Sequence, residues 1–257
     1  MTTGDPQPSP VNDPPLVFLG TICGGSLRVE YVNSMIQTAI TPDTGVRATI
    51  IEPYGPYLDD GRNVVIERAL AHPLEFEYLL FVDSDIAWRP DDVRKIVAAA
   101  EAHRDEPAIY TGAYSSTRHN EQFAVVGNFE PDTRNVRCFT LEEFYEIHAE
   151  VGDGIVRVDG AGAGFMLIPR IVIDTLLELH GAPVPWFCEP IIDGVHQGED
   201  YGFCLRAADA GFPTYLVPSI TLLHNKTVAL GFPGLPTPDT TPPPVPHYQK
   251  AGDPWPK

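Results

Sequence analysis

Short apolar runs, each followed by a stretch of helical period, constrain this chain more than any other feature it has. Residues 16–19 run apolar into a Gly24-Gly25 turn. Ser26 then stands as an N-cap, with Val29, Val32, Ile36 and Ile40 on one helical face. A second run, 48–51, leads through a loop broken by proline and glycine to Asp59 or Asp60 as the next cap, and that helix ends before Pro73. A third run, 78–82, stops at Asp83. Pro90, Asp91 and Asp92 then open a helix whose core positions are Val93, Ile96, Val97 and Ala100. Strand, loop and helix in repetition are the pattern of a mostly parallel sheet with crossover helices, so one Rossmann-like α/β domain is expected. The second half is less regular. It offers a strand near 108–111, a helix opened by the capping box Thr140-x-x-Glu143, an extended stretch at 155–158, glycine-rich 160–164 and an apolar run at 165–168. Helices near 171–179 and 200–210 follow, the latter stopped by Gly211, and then short strands at 214–217 and 221–223.

Both ends depart from this pattern. Residues 1–14 are polar, proline-rich and aperiodic, and residues 231–257 hold nine of the 27 prolines. They read as an N-terminal disordered tail and a C-terminal tail able to serve as a lid, leaving 15–230 as the folded domain. With 35 acidic against 17 basic residues the net charge is −18, which repels a phosphate backbone, so no nucleic-acid partner is expected. Cys23, Cys138, Cys188 and Cys204 are scattered and form no CxxC pair, so they read as buried free thiols. No apolar run approaches the ~20 residues of a membrane span and no leader opens the chain, so the expected location is cytoplasmic.

Three segments carry chemistry. The run 79–82 feeds directly into Asp83-Ser84-Asp85, and in an extended backbone residues two apart project to one side. The two carboxylates could therefore meet one divalent cation at a strand's C-terminal end, where open α/β sheets bind ligands. A plain turn former is the competing explanation. Glu199-Asp200 opens a late helix, where the dipole favours acids whatever their function, and where a carboxylate could also take a proton from a hydroxyl. His224 and Lys226 leave the last strand. Haloacid-dehalogenase-like phosphatases also end a strand in Asp-x-Asp, but they use the first strand and place a small or hydroxyl residue soon after; here the strand is the third, and Ile86, Ala87 and Trp88 follow.

In this order the three segments resemble the GT-A glycosyltransferases, above all the inverting family-two type, over residues 16–226. The resemblance implies a single GT-A domain. It implies a nucleotide-sugar donor, a UDP-sugar or GDP-sugar, held with Mn²⁺ or Mg²⁺. Asp85 would hold the cation, Asp83 the cation or the ribose, and His224 would be a late metal ligand. Lys226 would neutralise the diphosphate. Asp200 would be the base and Glu199 its support. Thr21, Glu52, Arg62 and Asn63 match positions that cradle the nucleotide, although Glu52 could equally be a loop acid and Arg62 a surface charge. Gly162 and Gly164 would leave room for donor sugar and acceptor. Trp186 would stack on a sugar ring or close the core. The expected activity is transfer of a sugar to a hydroxyl of a glycan, protein or lipid acceptor, set against two alternatives: a noncatalytic nucleotide-sugar or carbohydrate-binding module, and a metal-dependent phosphotransferase or nucleotidyltransferase.

Overall fold

In the computed structural model the described residues are 14–53, 57–118, 121–130, 136–192 and 194–226. The expected N-terminal tail, apart from Pro14, and the proline-rich segment 231–257 with its lid role lie outside them. Residues up to Asn225 form one compact unit, and the architecture is that unit's. In chain order it runs β1 (Val17–Cys23), α1 (Val29–Ile40), β2 (Val46–Pro53), α2 (Leu58–Leu70), β3 (Tyr78–Val82), β4 (Ile86–Ala87), α3 (Pro90–Ala102) and β5 (Ile109–Ala113). Then come β6 (Ser115–Arg118), β7 (Glu121–Phe129), β8 (Val136–Thr140), α4 (Leu141–Val151), β9 (Val156–Val158), β10 (Gly160–Ala161) and β11 (Phe165–Pro169). The remainder is α5 (Arg170–His180), β12 (Ile191–Ile192), β13 (Val195–His196), α6 (Glu199–Asp209), β14 (Thr214–Thr221) and β15 (Leu223–His224).

The central sheet has seven strands in the order β2-β1-β3-β11-β5-β14-β9. It is mostly parallel, since β11 is antiparallel to β3 and β5, and β9 is antiparallel to β14, while the other neighbours are parallel. Side chains alternate between its faces. Leu79 and Phe81 of β3 pack with Val65 and Ile66 of α2, Val172 and Ile173 of α5, and Phe203 of α6. Leu80 and Val82 pack on the other face with Tyr31 of α1 and Val93 and Ile96 of α3. Both faces are thus covered, which is why the first strands read as unbroken apolar runs. The capping box of α4 forms as expected: the Thr140 hydroxyl accepts the Glu143 N–H at 3.2 Å and the Glu143 carboxylate accepts the Thr140 N–H at 2.9 Å.

Several local expectations are corrected. Arg28, not Ser26, is the N-cap of α1, and Val29, Ile36 and Ile40 are 65%, 50% and 75% exposed. The buried face of α1 is Tyr31, Ser34 and Thr38. These positions are inside because they carry hydrogen bonds: Ser34 Oγ accepts the Trp88 backbone N–H at 3.0 Å, and Thr38 Oγ1 accepts the Trp88 indole N–H at 2.9 Å. Asp59 and Asp60 lie in the first turn of α2, which Tyr57 caps. The two short strands expected at 214–217 and 221–223 give way to one strand, β14, that runs through Pro218 to Thr221 with a register irregularity, followed by the short β15. A second sheet, β10-β7-β6 with β8 on β7, has no counterpart in the expected pattern of strands.

Candidate functional site

At the end of β3 the chain does not stay extended. The Ile86 N–H bonds back to the Asp83 carbonyl at 3.0 Å, so Asp83-Ser84-Asp85 is a turn and its two carboxylates part company. Asp83 Oδ1 accepts a hydrogen bond from Arg62 Nη2 at 2.9 Å, whereas Asp85 Oδ2 lies 3.3 Å from His224 Nε2. The second contact is built by a two-residue ribbon. β15 pairs antiparallel with β4, His224 opposite Ile86, and the Asn225 N–H bonds the Asp85 carbonyl at 2.8 Å. The turn is also tied to the start of α1, where the Arg28 N–H reaches the Ser84 carbonyl at 3.2 Å.

The ring of His224 has a defined orientation. Its Nδ1 lies 2.8 Å from the Ser115 carbonyl, which can only accept, so Nδ1 carries the proton. In the neutral ring Nε2 then presents its lone pair to a carboxylate oxygen, an arrangement a cation satisfies. Metal-binding histidines are commonly held by such a bond from the other ring nitrogen. Asp83 does not join the pair: among the described residues no three Asp, Glu, His or Cys side chains converge as a metal cluster. The donor set is one carboxylate and one imidazole, which fits a hard or borderline divalent ion with positions left for other oxygen ligands.

A second group gathers at the start of α6. Arg62, only 3% exposed, bonds Asp83 through Nη2 and Glu199 through Nη1. Asp200, the next residue, is part-buried, and its Oδ1 accepts the Tyr201 N–H at 2.9 Å. Burial first, and then the charge of Glu199, push the Asp200 carboxyl up to about 6 against the opposing pull of Arg62. A carboxylate with that proton affinity is suited to accept a proton near neutral pH.

Tyr114, at the end of β5, stands between the two groups, and nothing in the sequence had singled it out. Its ring meets the His224 ring edge-on at 5.2 Å, its hydroxyl accepts the Gly164 N–H at 3.2 Å, and Asp83, Asp200 and Arg62 all act on it electrostatically. Burial above all holds its phenol well above the ordinary value. Tyr114 also explains the glycines. A Cβ on Gly162 would sit 2.0 Å from its hydroxyl, and one on Gly164 would sit 2.8 Å from its ring. The space that Gly162 and Gly164 leave is therefore filled by Tyr114 rather than left for sugar and acceptor.

Other expected site residues are placed differently. Thr21 is fully buried and shares a hydroxyl hydrogen bond with Tyr31. Asn63 spends its side-chain amide on the backbone of Phe187, donating to the carbonyl and accepting the N–H, both at 2.8 Å. Trp186 is buried in the core with its indole N–H on the Ile173 carbonyl at 3.4 Å, so it closes the core and offers no ring to a sugar. Glu52, opposite Ile22 at the C-terminal edge of the sheet, is buried and paired with Arg68 at 2.9 Å, not a loop acid. Lys226 follows Asn225 and begins the second unit of the chain. Cys23 and Cys204 are buried, as expected, whereas Cys138 and Cys188 are only half-buried.

The sequence matches no family model and no curated protein. Solved structures are similar to it in fold. The crystal structure of A197 from STIV superposes with a TM-score of 0.54 at 18% identity, covering 81% of this chain and 85% of that one. The crystal structure of GalNAc-T7 with UDP, GalNAc and Mn²⁺ superposes with a TM-score of 0.55 at 10% identity over 83% of this chain, which spans 44% of the GalNAc-T7 chain. The mixed sheet and its flanking helices are thus those of the GT-A fold. Among the described residues no helix is long and apolar enough to cross a membrane.

Proposed function

We propose that this protein is a metal-dependent glycosyltransferase of the family-two-like, inverting type, moving a sugar from a UDP- or GDP-sugar to a hydroxyl of a glycan, protein or lipid acceptor. The observation that carries the reading is the His224–Asp85 pair, oriented for a cation by the Ser115 carbonyl, at the same sheet edge as a base-like Asp200. The fold supports it, because one structure of this fold holds UDP, GalNAc and Mn²⁺.

In this reading Asp85 and His224 hold the divalent cation, whose chemistry, when bound, is to neutralise charge on a departing diphosphate. Asp200 accepts the proton of the acceptor hydroxyl as that oxygen attacks the anomeric carbon from the face opposite the leaving group, which inverts the centre. Glu52, at the edge where the first two strands end, supplies an acceptor for a nucleotide base.

A donor-hydrolysis screen across UDP- and GDP-sugars, with and without Mn²⁺, tests the reading. Free sugar and nucleoside diphosphate, appearing only with the cation, are expected. Binding without release would identify a noncatalytic module, and transfer of a phosphoryl or nucleotidyl group would move the enzyme to another class.

A further inference from the structure

Arg62 matches a donor-binding position by sequence, yet its surroundings leave it little to offer a donor. Nη1 and Nη2 are committed to Glu199 and Asp83, Nε is buried without a partner, and the guanidinium lies 5.6 Å from the centre of the Phe187 ring. That ring stacks in turn on Phe203 of α6, centroids 4.6 Å apart and planes within 12°. The neighbouring residue Asn63 clamps the Phe187 backbone, and from the other side Arg206 of α6 donates to the Trp186 carbonyl at 3.2 Å and to Cys188 Sγ at 2.9 Å. Helices α2 and α6 are therefore bolted together through segment 186–188, with Arg62 at the inner end of the joint.

We propose that Arg62 is a positioning residue, not a donor ligand: by tying Asp83 at the end of β3 to Glu199 at the start of α6 it fixes the place of the neighbouring Asp200 and the charges around it. This rests on the reading of Asp200 as the base and deepens it. Asp83 and Glu199 bond one buried guanidinium, and Asp200, next to Glu199 in the chain, feels its charge. The groups that interact electrostatically with Asp200 are Glu199, Tyr201 and Cys204 from its own helix, Arg62 from α2, Asp83 after β3 and Tyr114 after β5. Of these Arg62 is the positive one. A planar fork suits the task, since a single rigid group can hold two carboxylates at fixed directions.

The test is a carboxyl NMR titration of Asp200 in the full-length protein, paired with a pH profile of transfer. Removing this counter-charge should move the Asp200 titration in R62M upward by about one to three pH units, with the acid limb of the transfer profile moving with it. E199Q removes a like charge and should move the titration the opposite way. R62K keeps the charge and loses the fork, so it should restore the titration towards wild type while transfer stays impaired. Because R62M leaves Glu199 buried and unpaired and can fail to fold, the double variant R62M/E199Q is compared with E199Q alone, and it should titrate higher. An Asp200 that titrates at the same pH in each of these pairs overturns the proposal. A wild-type protein that transfers no sugar removes the functional reading but leaves the titration result standing.

Discussion

Asp85 and Asp200 are both carboxylates, and the proposed reading gives them different work because their environments differ. Asp85 is about a quarter exposed and lies 3.3 Å from His224 Nε2, and the proposed reading puts a cation between them. Replacing Asp85, a part-exposed carboxylate, with alanine should cost no more than about 1 kcal/mol of stability. It should, however, abolish Mn²⁺-dependent binding of UDP or GDP in calorimetry; binding as tight as wild type would place the cation elsewhere. Asp200 is burdened by burial and by Glu199, which hold its proton until about pH 6. A raised carboxyl is protonated below that value and charged above it. Transfer should therefore fall as pH drops through about 6 and hold above it, until some other group intervenes. Asp200→Asn should keep donor affinity and lower the transfer rate by about 10²- to 10⁴-fold, with the acid limb abolished. An unchanged rate with a verified acceptor would move the base to Glu199.

Helix α1 shows how an element can be found correctly and faced wrongly. Its period is helical, but the stripe of Val29, Ile36 and Ile40 lies in water while Ser34 and Thr38 lie inside. Hydrophobicity decides burial only where the partner surface is apolar; here it includes the two N–H groups of Trp88, and a buried donor without an acceptor costs more than an exposed isoleucine does. Thr38→Val, nearly isosteric, should lower stability by about 1–3 kcal/mol by stranding the indole N–H, read by thermal melting and by a shift in tryptophan emission. The same limit governs what the sequence could reveal of the site. Asp83, Glu199 and Asp200 were legible because each closes or opens an element of several residues, Asp85 because it stands two positions after Asp83, and His224 only through the order of the motifs along the chain. Tyr114 was not, since it ends one strand among many, and its meaning depends on Gly162 and Gly164, which arrive from another part of the sheet. β6, β7 and β8 escaped notice because Gln122, Gly127 and Asn128 interrupt the alternation that marks a strand. Pairings such as β4 with β15 join segments of two residues each, too short to leave any pattern.

At the scale of the molecule, charge is the dominant long-range force. With a net charge of −18 the chain repels itself, and its exposed ion pairs, such as Arg104 with Glu77 and Arg137 with Glu143, each offset little of that. Salt weakens both the repulsion and the pairs, but the excess of acids outweighs the pairs. Raising salt from about 10 mM to about 150 mM shortens the screening distance from roughly 30 Å to 8 Å and should raise the melting temperature. A gain near 1 kcal/mol corresponds to about 2–4 °C in a chain of this size; a fall in melting temperature would mean that the surface pairs matter more than the net charge. The ribbon of β4 and β15 carries a different consequence. It joins the loop after the third strand to the last strand of the unit, so a ribosome has released Asp85 long before it delivers His224. Until then a nascent chain exposes a lone carboxylate, which holds a divalent ion weakly. In the proposed reading the pair that would hold the cation is completed only when translation of the domain is nearly done, and a polysome carrying unfinished copies would withdraw little of that cation from the cell.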